Sequence, residues 1–141
     1  WLLLRSIETL GVRIQREAAS AQAIAEWFEK SGKKVFYPGL PSNPGYEIHK
    51  SQAKSGGAVL SVDLGSKEAA RKFVEKIKIP VFSVSLGGVE TIVSYPPKMS
   101  HAELSADDLA ADGITPGLLR ISVGLENADD LIDDFNQALE D

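Results

Sequence analysis

Apolar residues return at three- and four-residue steps through Leu3, Ile7, Leu10, Ile14, Ala18, Ala21, Ala25 and Phe28. That spacing predicts a single helix over residues 1–31 with one apolar stripe. At 1.5 Å rise it would run about 45 Å, more than a small domain needs. Gly11 is its soft point, and Ser31-Gly32 ends it. A short strand follows at Lys34 to Tyr37, then a loop rich in proline and glycine from Pro38 to Gly45, then a short helix from Tyr46 to Lys54. Residues 58–64 alternate, with Ala58, Leu60, Val62 and Leu64 on one face and Val59, Ser61 and Asp63 on the other. Ser66 is positioned to cap a helix running to Ile77 with Ala70, Phe73, Val74 and Ile77 inward.

Val81 to Ser85 and Thr91 to Tyr95 read as two strands around a Gly87-Gly88 turn, and Ser105 caps a short helix to Ala111. Leu118 to Gly124 is a further strand, with Leu119, Ile121 and Val123 on one side and Leu118, Arg120 and Ser122 on the other. The last helix, Ala128 to Leu139, has the clearest pattern: Ala128, Leu131, Ile132, Phe135 and Leu139 share a face behind an Asn127 cap, and the acidic residues read as a solvated face. The expected fold is α/β of the α+β kind, an open and mostly antiparallel sheet with helices on one face and a long N-terminal helix. Ser61, Ser83, Ser94 and Ser122 alternate with apolar neighbours, so the opposite face carries hydroxyls together with Arg120. Such a face suits contact with another domain or the wall of a site.

Composition narrows the choices. The chain's 141 residues, 43% hydrophobic and 25% charged, make one ordinary globular domain. A net charge of -5, without a cluster of Lys and Arg, argues against nucleic acid. The absence of cysteine excludes disulfides and thiolate chemistry. The early apolar run is too short for a membrane span, and a cytoplasmic setting is expected. The chain starts at Trp1, inside the apolar pattern and without an initiator methionine, so it reads as a piece of a longer protein.

The inventory of chemistry is thin. Phosphate-loop, dinucleotide and serine-elbow motifs are lacking, and His49 and His101 have no metal-ligand spacing, so no metal is expected. Arg120, Ser85 with Gly87-Gly88, and Ser100-His101 remain. On spacing alone an internal ion pair is the plainer reading of Arg120. If it binds a ligand, its planar fork suits a carboxylate.

The chain resembles the C-terminal domain of the Cys/Met-metabolism family of pyridoxal-phosphate (PLP) enzymes, most of all the cystathionine β-lyases of Gram-positive type. The resemblance runs from Trp1-Leu2-Leu3-Leu4-Arg5 and Thr9-Leu10 through Tyr37-Pro38-Gly39-Leu40, Ser85-Leu86-Gly87-Gly88-Val89-Glu90 and Met99-Ser100-His101. It continues through Gly113-Ile114 and Leu118 to Glu126. Ser6 departs from the family's usual glycine, and Lys54-Ser55-Gly56-Gly57 from its G-F-G. The resemblance implies the small domain of a fold-type I PLP enzyme, with Arg120 holding the substrate α-carboxylate, Ser85 beside it and Val84 lining the substrate site. The family often has glutamate where Val84 stands, and an apolar residue there resembles the β-lyases and methionine γ-lyases.

The resemblance also implies that PLP and the catalytic groups belong to the protein's own preceding N-terminal domain. This piece alone is then expected to be inactive, and its parent a homotetramer acting on a small amino-acid substrate. The implied activity is cleavage of cystathionine to homocysteine, pyruvate and ammonia in methionine biosynthesis. Cystathionine γ-lyase, methionine γ-lyase and cystathionine γ-synthase are the alternatives within the family. A stand-alone amino-acid-binding regulatory module is the alternative of another class.

Overall fold

The computed structural model describes residues 1–140. In chain order its elements are α1 (Leu2–Ile7), α2 (Leu10–Lys30), β1 (Lys34–Phe36), α3 (Tyr46–Gln52), β2 (Val59–Asp63) and α4 (Lys67–Lys76). Then come β3 (Val81–Phe82), β4 (Ile92–Ser94), a 3₁₀ turn (Pro96–Lys98), α5 (Ala106–Ala111), β5 (Leu118–Ser122) and α6 (Ala128–Leu139). The sheet order is β1-β2-β5-β4-β3, which makes β5 the central strand. The three expected caps are present: Ser66 Oγ accepts from the Ala69 amide at 3.1 Å, Ser105 Oγ from Asp108 at 3.2 Å and Asn127 Oδ1 from Asp129 at 2.8 Å.

Helices α2, α4 and α6 cover one face of the sheet, with α6 lying between the other two. Leu60 and Val62 of β2, Val93 of β4, and Leu119, Ile121 and Val123 of β5 and its end are the buried sheet side of the core. Phe28, Phe73 and Phe135, one from each helix, meet over them with ring centroids 5.5 to 6.3 Å apart. Tyr37 is fully buried, and its hydroxyl donates to the Gly57 carbonyl at 2.9 Å. A Cβ on Gly56 would stand 2.4 Å from the Tyr37 ring and one on Gly39 2.6 Å from it, which accounts for glycine at both places.

Three expectations need correction. The first helix is broken, with Glu8 and Thr9 between α1 and α2. There the Ser6 carbonyl accepts from the Thr9 hydroxyl and from Arg13 Nη2, both at 3.4 Å, so side chains compete for a helical acceptor. The apolar stripe is buried only from Ala18 onward; Leu3, Ile7, Leu10 and Ile14 are exposed.

Second, β3 and β4 are parallel, so residues 83–91 form a crossover and not a hairpin turn. Such a crossover normally takes a dozen residues or more. It is short here because the strands it joins have 2 and 3 residues. The other pairings are antiparallel, as expected.

Third, Asp134 of α6 is buried rather than solvated. Its carboxylate accepts from the backbone amides of Lys78 and Ile79, each at 2.9 Å, and so caps the turn into β3.

Candidate functional site

The polar face is built by register. Ser61 of β2 and Ser94 of β4 lie opposite Arg120 of β5, so their side chains share its face. Ser122, two residues along β5, points the same way. This face is opposite the helices, and the crossover from β3 to β4 runs along it. Arg120 Nη2 donates to the Ser85 carbonyl at 2.9 Å and to Ser94 Oγ at 3.2 Å. Ser94 Oγ in turn donates to the Ser83 carbonyl at 2.8 Å. The Gly87 amide donates to Ser122 Oγ at 2.9 Å. The hydroxyls of Ser94 and Ser122 are therefore spent on holding the crossover.

The ion-pair reading of Arg120 does not hold: among the described residues the ion pairs are made by Arg71, with Glu68 and Glu75. Arg120 Nε is enclosed and has no acceptor among those residues. Nε is closed to solvent, as is Arg13 Nε, but Arg120 Nη1 makes no hydrogen bond among the described residues and is not enclosed, which leaves that end of the guanidinium open to an anionic ligand. Ser85 is the residue other than glycine with positive φ among the described residues, at 103°. Strain of this kind persists where the surroundings over-determine it, and it gathers at ligand clamps. Val84 is 62% exposed beside it, and Leu86 and Val89 extend an open apolar rim.

The structure thus brings Arg120, Ser85 and Val84 into one neighbourhood. It leaves Ser100 and His101 in contacts of their own, with Ser100 Oγ and His101 Nδ1 2.8 Å apart and the His101 amide donating to the Pro96 carbonyl at 3.0 Å. Sequence reasoning missed Thr91 and Glu126. The Glu126 carboxylate accepts from the Thr91 amide and hydroxyl, each at 2.7 Å, and Thr91 Oγ1 accepts from the Gly124 amide at 2.9 Å. Their only sequence signal is position: Glu126 closes the strand motif and Thr91 follows the serine-glycine motif.

Two titratable groups elsewhere behave as burial dictates. Glu17, 4% exposed on α2, is raised above the ordinary carboxyl value by desolvation, with the Arg13 charge opposing. Burial pushes the Tyr37 phenol up to about 12. No helix among the described residues is long and apolar enough to cross a membrane.

The sequence resemblance implies PLP, and the make-up of this polar face bears on whether it could hold the cofactor. None of the bonds that build it involves a lysine, the amine that PLP requires, and its donors are one guanidinium, serine and threonine hydroxyls and backbone amides. The face fits a carboxylate and does not by itself fit the cofactor.

Comparison with known proteins agrees with the geometry. The family described as Cys/Met metabolism PLP-dependent enzyme matches residues 1–140. Cystathionine beta-lyase MetC of Bacillus subtilis is 54% identical over 143 residues, covering 100% of this chain and 37% of that protein. The yeast cystathionine gamma-lyase structure superposes with a TM-score of 0.94 at 36% identity, over 99% of this chain and 37% of that one. The cystathionine gamma synthase of Xanthomonas oryzae pv. oryzae, in complex with cystathionine, gives 0.91 at 38% identity, over 96% and 36%. The chain thus spans little more than a third of the length of each relative. Matched by the family over residues 1–140 and sharing the fold of these solved structures, the chain belongs to the Cys/Met-metabolism family of PLP-dependent enzymes.

Proposed function

We propose that these residues are the C-terminal domain of a PLP-dependent carbon–sulfur lyase that cleaves cystathionine to homocysteine, pyruvate and ammonia. The 54% identity to a cystathionine beta-lyase supports that choice, as does the apolar Val84 at the position that often carries glutamate in γ-lyases and γ-synthases. The observation that carries the site reading is the Arg120 guanidinium, held through Nη2 by Ser85 and Ser94 and without a partner on Nη1 among the described residues, on a hydroxyl-lined face. In this reading the guanidinium donates to the substrate α-carboxylate, Ser85 lies beside that carboxylate, and Val84 borders the path of the thioether chain. Holding the carboxylate fixes rotation about the bond between the amino nitrogen and the α-carbon, and so selects which α-carbon bond is aligned to break. PLP supplies the electron sink when bound, from sequence that precedes these residues. The whole enzyme works in the cytoplasm as a homotetramer, and the 141-residue chain alone is inactive.

The purified full-length enzyme with PLP should release pyruvate from cystathionine. Release of 2-oxobutyrate with cysteine would place it with the γ-lyases. Arg120→Ala should lower kcat/KM by about 10²-fold, the worth of one to two charge-assisted hydrogen bonds at roughly 1.5–3 kcal/mol each, while the PLP absorbance is retained. Unchanged kinetics would reject the carboxylate role.

A further inference from the structure

We infer that Thr91, Glu126 and Ser122 are positioning residues for substrate binding, because together they pin the crossover that carries Ser85 against the end of β5, next to Arg120. The inference rests on the reading of Arg120 as the carboxylate holder.

The crossover has almost no regular structure of its own, and Val84 to Gly87, Val89 and Glu90 are exposed. What fixes it is a set of bonds to β5 and the residues just after it. The Gly87 amide donates to Ser122 Oγ at 2.9 Å, and the Leu125 amide to the Val89 carbonyl at 2.8 Å. Thr91, fully buried, gives both its amide and its hydroxyl to the two oxygens of Glu126. One carboxylate gripping two donors of a single residue sets that residue's position and rotation together. The Thr91 hydroxyl also accepts from the Gly124 amide, which ties the end of the crossover to the end of the strand. The two backbones touch there: a Cβ on Gly124 would stand 2.3 Å from the Val89 carbonyl oxygen.

These pins account for the strained Ser85. At φ 103° a serine relaxes unless its flanks are held. In its held conformation the Ser85 carbonyl is one of the two acceptors that fix Arg120 Nη2. Releasing Thr91 or Gly87 frees Ser85, removes that acceptor, and lets the long arginine side chain regain rotamers it must lose again on binding. None of the three pinning residues need touch the substrate for this to act.

The test uses the full-length PLP-loaded enzyme and two competing ligands, L-alanine and ethylamine, which differ in the carboxylate alone. The ratio of their inhibition constants reads carboxylate recognition, and a general loss of structure does not move it selectively. Arg120→Ala should abolish the preference for alanine. Thr91→Val and Glu126→Ala should each reduce it about 10-fold, within the ~10²-fold that an ångström of misplacement costs, and Thr91→Ser, which keeps the hydroxyl, should retain it. Should the buried Thr91→Val and Glu126→Ala variants fail to fold, Ser122→Ala, which frees Gly87 with a smaller change, carries the same expectation. If Arg120→Ala abolishes the preference while the pinning variants that fold leave it intact, or weaken alanine and ethylamine equally, the positioning role is refuted and the carboxylate reading stands. If Arg120→Ala itself leaves the preference intact, the carboxylate reading is what fails.

Discussion

Replacing Asp134 with alanine should destabilise the fold by an amount that its contacts allow one to work out. The carboxylate is 6% exposed and accepts from two consecutive backbone amides, Lys78 and Ile79, and from Gln137 Nε2 at 3.0 Å. Alanine leaves both amides without an acceptor in a partly buried turn. An unsatisfied amide costs roughly 1–3 kcal/mol, and the lower half of that range applies where water can reach it. Two amides together give about 3 kcal/mol, a large part of a domain stability of roughly 5–15 kcal/mol. With a urea m-value near 2 kcal/mol/M, the midpoint should fall by about 1.5 M. Asparagine is the informative partner. One oxygen, Oδ2, accepts from both amides at 2.9 Å, so an amide side chain with its oxygen there keeps both of those bonds but loses the charge and turns an NH2 toward Gln137 Nε2, which donates to Oδ1. Asp134→Asn should therefore cost about 1–2 kcal/mol, less than alanine, from the lost charge assistance and the lost Gln137 bond. Urea titrations followed by circular dichroism measure both. A midpoint for Asp134→Ala within about 0.3 M of the unmodified protein, or an asparagine variant as unstable as the alanine one, would refute the reasoning.

Glu17 provides a pH test. Its folded pKa is raised, so its contribution is fully present below the unfolded carboxyl value of about 4.3 and is lost as pH rises through the folded value. Glu17→Gln should thus gain in Tm over the unmodified protein between about pH 4 and pH 7, and a difference independent of pH would contradict it. Two glycine-to-alanine changes should act in opposite directions in thermal melts. Gly56→Ala drives a Cβ into the Tyr37 ring and should cost about 1–3 kcal/mol. Gly11→Ala meets nothing within 4 Å on an exposed helix and should stabilise by about 0.5–1 kcal/mol.

Much of this architecture can be read from residues alone. Helices α4 and α6 and strands β2 and β5 carry their burial in their spacing, because one face of each meets one core. Ser66, Ser105 and Asn127 cap where their type and place suggest. Arg120 is legible as a charge on the polar side of a strand. What escapes is whatever depends on a distant partner. The parallel pairing of β3 with β4 is invisible in two short apolar runs joined by Gly87-Gly88, since a turn and a compact crossover have the same composition. Asp134 looks like one more acid on an acidic helix, and its burial follows only from the turn at Lys78 and Ile79 docking on it. The grip of Glu126 on Thr91 spans 35 residues and leaves no local pattern. At the break around Glu8 and Thr9 the Thr9 hydroxyl and the Arg13 guanidinium share the Ser6 carbonyl, a side-chain arrangement that no periodicity shows.

The taper of the sheet has a consequence for how the protein keeps to itself. Across the sheet, from β1 through β2, β5 and β4 to β3, strand lengths are 3, 5, 5, 3 and 2 residues, so neither outer strand is longer than three. Pro38 lies just beyond β1 and Pro80 just before β3, and each lacks the amide that would lengthen a ladder. Lys34 adds a charge to the β1 edge. Val81 and Phe82 are exposed on the other edge and would invite a neighbouring chain to add a strand. Two residues are too few to template one, and the crossover leaves the line of the sheet immediately afterwards. A sheet whose edges expose apolar side chains is in this way guarded against polymerising by the brevity of its own margins.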